Sequence, residues 1–283
     1  MRTTLVTASD KNFFVHLQGL IRSIVGKEEG KGIGICVFDL GLSPEQIKWL
    51  KELSILVLDI HECLKLSEEH DQNVILKGLI IRAFLPNLID SEIIIWIDAD
   101  TWVQDWKAIK MYEEAALKGS LGITPELHRN YRAHVKSYMT FVKLSYREYH
   151  RAFGKEIARK YSRYPILNAG VFSMLRDSPY WKIWQDIIIK TLSRSISYID
   201  QITLNYAVYS NKISSVELLP AYCNWGCHQC LPAFDTNIKK FVEPSIPHDV
   251  IGIMHLTGVF KKYKQLKIMT TTGNSINIPI RYV

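Results

Sequence analysis

The sequence predicts an α/β protein in which strands alternate with helices around one open sheet. One observation is the run from Ile93 to Ile97, four isoleucines and one tryptophan, which is too short for a core helix. β-branched residues in such a run are typical of a strand that is buried on both faces. A second observation is a run of three strand-like segments, earlier in the chain, with two helix-like segments between them. The third is a pair of acids, Asp98 and Asp100, just past the run, where open α/β sheets bind ligands.

The N-terminal elements follow from local patterns. Thr3 to Ala8 is predicted as a strand, and apolar residues at helical spacing from Phe14 to Ile24 predict the helix that follows. Gly34 to Asp39 is predicted as the second strand. Ser43-Pro44-Glu45-Gln46 combines a capping box with proline at the first helical position, which predicts a helix start. Ser54 to Ile60 completes the series as the third strand.

The middle of the chain is predicted to hold two helices and one segment of a different character. Asn73 to Leu85 is predicted as a helix that Pro86 ends, and Trp102 to Lys118 as the helix after the two acids. Leu121 to Thr124 is predicted as a short strand. Residues 126–164 are rich in Tyr, His, Arg and Lys, so we expect a variable helical excursion on the possible acceptor side. Its histidines, predicted as surface residues rather than ligands, are His128, His134 and His150.

The C-terminal third repeats the alternation. Ile166 to Met174 is strand-like but is interrupted by Asn168 and Gly170, and helices are predicted from Ser178 to Leu192 and after Tyr198. A strand should end at His255, and a turn at Gly273-Asn274 predicts a closing hairpin. We predict one domain over residues 1–264, followed by a C-terminal hairpin or tail over 265–283.

Composition limits the kinds of protein that this chain can be. With 283 residues and 47% hydrophobic content, it can bury a full core as a single domain. A net charge of +7 favours anionic partners, although no dense block of charge selects one class. The N-terminal segment does not resemble a signal peptide, and no apolar stretch is long enough to span a membrane. Together with five cysteines, an odd number, these features predict a cytoplasmic protein.

The two acids after the apolar strand predict a divalent metal. Residues two apart in an extended chain point the same way, so Asp98 and Asp100 can aim both carboxylates at one cation, which in turn can bind a phosphate. Two alternatives remain open at this point. The acids can cap a helix that begins near Asp105, or they can serve a phosphohydrolase of the haloacid dehalogenase type, with Asp98 as nucleophile.

Further candidates are spread along the chain, and each has a structural alternative. Asp10 can bind a nucleobase or cap a helix, and Arg82 can clamp a phosphate donor or form a surface salt bridge. Asn168 can bond hydroxyls or mark a bulge, and Asp200-Gln201 can bind a sugar or cap a helix. His255 can complete the metal site or be a core histidine. Near it, Gly258 can admit main-chain amides to a phosphate, and Lys261 can neutralise a leaving diphosphate.

A cysteine-rich stretch and two missing motifs complete the candidates. Cys223, Cys227, His228 and Cys230 can hold structural zinc, but their crowding in one short loop favours free thiols. The chain lacks a Gly-x-Gly-x-x-Gly turn and a Gly-x-x-x-x-Gly-Lys loop, which argues against a dehydrogenase and a P-loop enzyme.

Taken in chain order, these motifs resemble those of glycosyltransferase family 8, the retaining, metal-dependent enzymes that use nucleotide sugars. The matching motifs are Thr7-Ala8-x-Asp10 for the uridine contact, Asp98-Ala99-Asp100 for the metal, Asn168-Ala169-Gly170-Val171 for the sugar, Asp200-Gln201 with Asn205, and His255-x-x-Gly258-x-x-Lys261. Three features depart from the family pattern. Lys261-Lys262-Tyr263 replaces Lys-Pro-Trp, Ile202 replaces the third acid of Asp-Gln-Asp, and residues 126–164 match no family motif.

The resemblance implies a GT-A fold, a Rossmann-like mixed β-sheet flanked by helices that binds a UDP-sugar at its carboxyl edge. It implies Mn²⁺ or Mg²⁺ held by Asp98, Asp100 and His255, with catalytic roles for Asp200, Gln201 and Lys261. The implied donor-binding residues are Thr7, Ala8, Asp10, Arg82, Asp98, Ala99, Asp100, Asn168, Ala169, Gly258 and Lys261. The donor would be a UDP-hexose, carrying glucose or galactose. The acceptor would be a glycan or a lipid-linked saccharide of a surface polysaccharide or lipopolysaccharide, reached by peripheral membrane association.

The sequence gives less support to two other functions. The phosphohydrolase needs a later acidic pair, Gly-Asp-x-x-x-Asp or Asp-Asp, which does not occur in the chain. A non-catalytic basic module for nucleic acid or another anion rests on the net charge and on Lys261-Lys262-x-Lys264. Because no stripe of aromatic and basic residues accompanies that motif, we expect no nucleic-acid partner.

Overall fold

A computed structural model describes residues 2–132, 138–194, 197–262 and 264–282. Its strands are β1 (Thr3–Ser9), β2 (Gly34–Asp39), β3 (Leu56–Asp59), β4 (Ile93–Ile97), β5 (Thr101–Val103), β6 (Leu121–Pro125), β7 (Leu167–Leu175), β8 (Val216–Leu218), β9 (Trp225–Gly226), β10 (Ala233–Asp235), β11 (Lys240–Val242), β12 (Ile253–His255), β13 (Leu266–Met269) and β14 (Ser275–Ile278). Its α-helices are α1 (Phe14–Val25), α2 (Pro44–Glu52), α3 (Ile60–Cys63), α4 (Glu68–Asp71), α5 (Val74–Ile80), α6 (Lys107–Leu117), α7 (Tyr138–Phe153), α8 (Lys155–Tyr161), α9 (Tyr180–Thr191) and α10 (Ile199–Tyr209).

Seven strands form one mixed sheet in the order β3-β2-β1-β4-β7-β6-β8. The first four in this order are parallel, β7 is antiparallel to both of its neighbours, and β8 is parallel to β6. The predicted mixed α/β sheet flanked by helices is therefore confirmed. None of the described helices is both long and apolar enough to cross a membrane.

Strand β4 lies at the centre of the sheet, and helices cover both of its faces. Because alternate side chains of a strand point to opposite faces, Ile94 and Trp96 join one core cluster, with residues of α9 and α10. Ile93, Ile95 and Ile97 join the cluster on the other face, with residues of α1 and α6. The continuous apolar run is thus explained by burial on both sides, as the sequence predicts.

Local signals set several element boundaries correctly. The capping box at the start of α2 is present, because the Ser43 hydroxyl accepts from the Gln46 amide and the Gln46 side chain accepts from the Ser43 amide. The predicted C-terminal hairpin is β13 and β14, whose turn contains Gly273 at φ 86°. In the predicted excursion the structure describes α7 and α8, while His134 lies outside the described residues.

Two predicted boundaries were wrong. The helix expected from Trp102 begins at Lys107, because Thr101–Val103 forms β5 instead. The helix expected to end at Leu85 changes after Ile80 into a 3₁₀ helix, Ile81–Asn87, that contains Pro86. Strand β7 runs through Asn168 and Gly170, and the bulge predicted as the alternative for this interruption is present, because the register to β6 shifts between Ile123 and Thr124.

A small second sheet, in the order β5-β12-β9, lies beyond the carboxyl end of β4. Its antiparallel pairing places His255 of β12 opposite Thr101 of β5, directly after the two acids. Its parallel pairing places His255 beside Gly226 of β9. This sheet therefore brings a residue from the C-terminal part of the chain to the end of β4.

Candidate active site

Asp98, Asp100 and His255 meet at the carboxyl end of β4. Their ligand atoms all lie within 4.8 Å of one another, and among the described residues no other group of three or more His, Cys, Asp and Glu meets this condition. The Nε2 atom of His255 is 3.8 Å from Asp98 Oδ2 and 3.4 Å from Asp100 Oδ1. Side chains separated by more than 150 positions thus converge on one point.

Backbone hydrogen bonds hold the segment that carries the two acids. The Asp98 amide donates to the Gly170 carbonyl of β7 at 2.8 Å. The Asp98 carbonyl accepts from both the amide and the hydroxyl of Thr101, at 3.0 and 2.7 Å. The Asp100 carbonyl accepts from the Leu256 amide at 2.9 Å, which joins this segment to the residue after His255. The tight turn therefore fixes both carboxylates relative to the imidazole.

Gly170 leaves the space in which these side chains meet. A Cβ at this position would lie 2.6 Å from His255 Cε1, 2.7 Å from Asp98 Oδ2 and 2.8 Å from the Asn168 side-chain oxygen. Real Cβ contacts are not this short, so a larger residue would displace the site. The absence of a side chain at Gly170 therefore makes room for the side chains of His255, Asp98 and Asn168.

Arg82 bridges two of the acids. Its guanidinium donates to Asp98 Oδ1 at 2.8 Å and to Asp200 Oδ2 at 2.6 Å, and it lies 4.6 Å over the Trp96 ring. Trp96 Nε1 donates to the same Asp98 oxygen at 2.8 Å. The salt bridge of Arg82 is largely buried rather than on the surface, and it orients both carboxylates. Contact of Arg82 with a donor stays a prediction.

Lys261 and His255 keep the buried Asp100 carboxylate charged. Burial by itself would raise the pKa of Asp100, but His255 and Lys261, whose Nζ lies 2.7 Å from Asp100 Oδ2, together hold that pKa well below its usual range. Burial lowers the pKa of His255, and the charges of Asp100 and Asp98 outweigh that effect and raise it. Lys261 also lies 4.8 Å over the Phe13 ring.

Asp200 and Gln201 start α10 beside this cluster. Burial raises the pKa of Asp200, and the neighbouring charge of Arg82 opposes that rise. Gln201 Oε1 accepts from the Ala169 amide at 3.2 Å, and the Ala169 carbonyl accepts from Arg82 at 3.1 Å. Asn205 bonds both the amide and the carbonyl of Leu167, which fixes α10 against β7. The predicted sugar-binding strand and the Asp-Gln element are therefore adjacent.

Asn168 belongs to a chain of buried polar side chains. Its Oδ1 accepts from the Gly170 amide at 2.8 Å and from Asn224 Nδ2 at 3.1 Å, and its Nδ2 donates to Glu126 at 2.7 Å. Asn224 Oδ1 in turn lies 2.9 Å from His255 Nδ1. Both ends of the Asn168 amide thus bond protein groups, and its contact with sugar hydroxyls stays a prediction.

The remaining predicted donor-binding residues lie at the same edge of the sheet or near it. Thr7 is buried in β1, and its hydroxyl has no hydrogen-bond partner among the described residues. Asp10 accepts from the Asn12 and Phe13 amides at 2.9 and 2.8 Å in the turn before α1, whose N-cap residue is Phe13 and which has no side-chain cap. Ala8 packs against the core, and Ala99 is buried with α1. Gly258 adopts φ 65° at the start of a 3₁₀ helix, Gly258–Lys262.

The zinc alternative has no geometric support among the described residues. Cys223 and Cys227 are buried, and Cys223 Sγ lies 3.6 Å from Met111 Sδ. His228 faces Thr257 and Glu126 rather than these thiols. Burial raises the pKa of Cys223 to about 12 and raises that of Cys227 as well, so both thiols are protonated in the metal-free protein.

Three residues at the site were missed by the sequence analysis, namely Trp96, Glu126 and Asn224. A signal existed for Trp96, because residues two apart in a strand share a face and Trp96 precedes Asp98 by two. Glu126 and Asn224 join the site through long-range contacts, for which the sequence carries no local pattern.

Solved structures show the class of fold to which this arrangement belongs. No family model matches the sequence, and no characterised protein matches it at the sequence level. The galactosyltransferase LgtC, solved with donor and acceptor sugar analogues, is 15% identical with a TM-score of 0.54, covering 90% of this chain and 87% of that chain. Mouse xyloside xylosyltransferase 1 is 11% identical with a TM-score of 0.53, covering 90% and 96% respectively.

The bifunctional glycosyltransferase WbbM is 16% identical with a TM-score of 0.55 over 79% of this chain, which spans only 39% of that protein. At these levels of identity the likeness concerns the fold alone. The chain therefore has the GT-A fold of these glycosyltransferases, as the sequence predicts.

Proposed function

We propose that this protein is a metal-dependent, retaining hexosyltransferase of the family 8 type, which moves glucose or galactose from a UDP-sugar to a glycan. The observation that carries the proposal is the convergence of Asp98, Asp100 and His255 at the carboxyl end of β4 in a GT-A sheet. Open α/β sheets bind ligands at this edge. Glycosyl transfer by neighbours of the same fold supports this reading.

The three side chains fit a divalent cation. Two carboxylates and one imidazole supply oxygen and nitrogen ligands, and the nitrogen favours Mn²⁺ over Mg²⁺. Asp100 is 5% exposed; Lys261 pairs with its Oδ2, while its Oδ1 faces His255 Nε2 at 3.4 Å on the side shared with Asp98. When bound there, the cation would stabilise negative charge that develops on the leaving diphosphate.

Residues of the chain supply the rest of the chemistry. Lys261, 2.7 Å from Asp100, can place its ammonium beside the departing diphosphate, and such preorganised charge is usually the largest catalytic contribution. Asp200 and Gln201 would hold the sugar beside Ala169, whose amide donates to Gln201 Oε1. Arg82 bonds both Asp98 and Asp200. It would thereby fix the position of the metal-binding carboxylate relative to the sugar-binding one.

Retention of configuration is best explained by attack on the face from which the diphosphate departs. The bond from the acceptor oxygen to the anomeric carbon forms as the bond to phosphate breaks, and the departing phosphate oxygen takes the acceptor's proton. The Gln201 amide is too weak a nucleophile for a covalent intermediate. A sugar adduct trapped on any side chain would contradict this mechanism.

The acceptor that we propose is a glycan or lipid-linked saccharide of a surface polysaccharide. The net charge of +7 supports peripheral contact with anionic lipid. The phosphohydrolase alternative has no observation in its favour, because both Asp98 oxygens face groups of this site, Arg82 and Trp96 on one side and His255 on the other.

Thermal melting with UDP, with and without Mn²⁺, tests the proposal. We expect UDP to raise the Tm only when Mn²⁺ is present, by the few degrees that ligand binding produces. Slow hydrolysis of a panel of nucleotide sugars would then identify the donor without knowledge of the acceptor. A rise with an oligonucleotide alone, and none with UDP and Mn²⁺, would instead support the anion-binding module.

A further inference from the structure

We propose that Asn224 is a positioning residue that holds His255 in the tautomer required of a metal ligand. It does so as part of a chain of side-chain amides whose direction is set by the Gly170 peptide group. This inference rests on the proposed function, because it assigns His255 to the metal. It adds a residue that belongs to none of the sequence motifs identified above.

The direction of this chain of hydrogen bonds is set by a backbone donor. The Gly170 N–H can only donate, and it points at the Asn168 side chain at 2.8 Å, so the atom that it meets must be the Asn168 oxygen. The opposite end of the same amide lies 2.7 Å from Glu126 Oε1, a carboxylate oxygen that accepts. Two independent neighbours therefore give the same orientation for Asn168.

The orientation of Asn168 determines that of Asn224. Because the Asn168 oxygen is an acceptor, the Asn224 atom 3.1 Å away must be its Nδ2 donor. The Asn224 oxygen then faces His255 Nδ1 at 2.9 Å, so Nδ1 must carry a proton. In the neutral ring this leaves Nε2 with a lone pair, and Nε2 is the nitrogen that faces Asp98 and Asp100.

Burial strengthens the hydrogen bonds that link Asn168, Asn224 and His255. Asn224 and His255 are each 4% exposed, so water does not compete for these hydrogen bonds. Reversing the Asn224 amide would set a donor against the protonated Nδ1 and leave buried groups unpaired. The far end is anchored by Glu126, which also accepts from Gln229 Nε2 at 3.0 Å. The metal ligand is thereby connected to the start of the segment predicted to face the acceptor.

The first experiment reads the tautomer without metal or substrate. In metal-free protein labelled with ¹⁵N-histidine and held at alkaline pH, where the ring is neutral, we expect the proton of His255 on Nδ1. Its resonances are identified by their loss in His255→Gln. A proton on Nε2 in the wild-type protein would overturn the proposal, and a proton on Nδ1 supports it even if the protein binds no metal.

The second experiment measures Mn²⁺ affinity by titration calorimetry and by quenching of tryptophan fluorescence. Asn224→Leu removes the acceptor for Nδ1, and we expect affinity to fall about 10- to 100-fold, as for lost outer-shell partners of metal-ligating histidines. Asn224→Asp keeps an acceptor at that position and should retain the Nδ1 proton and bind Mn²⁺ more tightly than the Leu variant. A merely structural role for the amide would not separate the two variants by tautomer.

Gln185→Met is the matched control. Gln185 is also a buried amide, bonded to the Ala83 carbonyl at 2.9 Å, but it contacts none of the metal-binding side chains. This variant should leave Mn²⁺ affinity unchanged. Equal affinity in wild-type protein and Asn224→Leu would overturn the proposal, as would an Asp variant no better than the Leu variant. If Asn224→Leu does not fold, the Asp variant and the wild-type spectrum still decide. Absence of Mn²⁺ binding in the wild type would count against the proposed function alone.

Discussion

Asp100 is nearly inaccessible to solvent, yet its environment keeps it ionised. Burial opposes the charge, and the imidazole of His255 and the ammonium of Lys261 outweigh burial and hold the pKa of Asp100 well below its ordinary range. A carboxylate held in this way is ready to bind a cation at any physiological pH. Removal of its charge should therefore weaken cation binding and leave Lys261 and His255 without their anionic partner.

Asp100→Asn should lower the rate of sugar transfer, or of donor hydrolysis, by at least ~100-fold, by analogy with the loss of one preorganised charge-stabilising group. Steady-state rates at saturating Mn²⁺ provide the measurement. Asp90→Asn is the control, because Asp90 is an exposed acid paired with Arg2 and Arg176 far from the site. A loss of less than ~10-fold at Asp100 would exclude it from the reaction centre.

Glu126 should make folding stability depend on pH. Burial alone would raise its pKa, but hydrogen bonds from His228, Asn168 and Gln229 outweigh burial and lower the pKa below its ordinary value of 4.5. A lowered pKa in the folded state stabilises the protein above the unfolded value, and this contribution is lost as pH falls through the folded value. The free energy of unfolding should therefore decrease in acid.

Glu126→Gln should remove this part of the acid dependence, so that its unfolding free energy changes less between about pH 5 and pH 3 than that of the wild type. Urea denaturation at several pH values provides the comparison. Glu28→Gln, on an exposed acid paired with Lys31, should leave the slope unchanged. Parallel curves for wild-type protein and Glu126→Gln would contradict the assignment.

At the scale of secondary-structure elements, β7 packs closely against the site at Gly170. Gly170→Ala would place a methyl group within 2.6 to 2.8 Å of His255, Asp98 and Asn168. We expect Mn²⁺ affinity to fall by about tenfold or more, since small displacements of preorganised groups are costly. We also expect stability to fall by about 1 to 3 kcal/mol from overpacking. Calorimetric titration and urea denaturation measure the two effects.

Gly32→Ala is the control for this prediction, because an added Cβ at Gly32 meets nothing within 4 Å. It should leave both quantities nearly unchanged. Unchanged metal affinity in Gly170→Ala would show that the side chains above this position can move aside.

Elements with strong local signals were predicted well. The buried run of β4 and the capping box of α2 depend on residues within the element itself, and both were located correctly. Strand β5 was missed because three residues are too few to show a period, although Thr-Trp-Val is a β-favouring sequence. What forms β5 is its pairing with β12, which lies more than 140 positions away.

The site was predicted in part for the same reason. The order of motifs indicated that Asp98, Asp100 and His255 belong together, and the structure brings them together. It did not indicate that Arg82 would bridge two acids or that Asn168 would contact Asn224. Those contacts depend on which side chains the tertiary fold brings within reach, and no spacing in one sequence encodes that.

At the scale of the whole molecule, the five thiols report on the integrity of the fold. Cys36, Cys223 and Cys227 are buried, and burial raises the pKa of Cys36 and of Cys223 to about 12. Cys63 and Cys230 are partly exposed. A thiol reagent should therefore modify the latter two first and reach the other three only when the protein unfolds.

Mass spectrometry of the native protein after timed labelling checks this order, and labelling in denaturant gives the total. Rapid modification of Cys223 or Cys227 in the native state would show that the small sheet opens readily. Stoichiometric zinc in protein purified without added metal would restore the structural-zinc alternative for this stretch.

The hydrogen bond from the Asp98 amide to the Gly170 carbonyl has a consequence for protein engineering. It joins the residue that follows β4 to the middle of its antiparallel neighbour β7. The two segments should therefore be exchanged together when parts of this protein are replaced. A chimaera that imports residues 93–103 from another glycosyltransferase of this fold would have to import residues 167–175 from the same donor. Grafts of either segment alone would place foreign side chains against a partner selected for different ones.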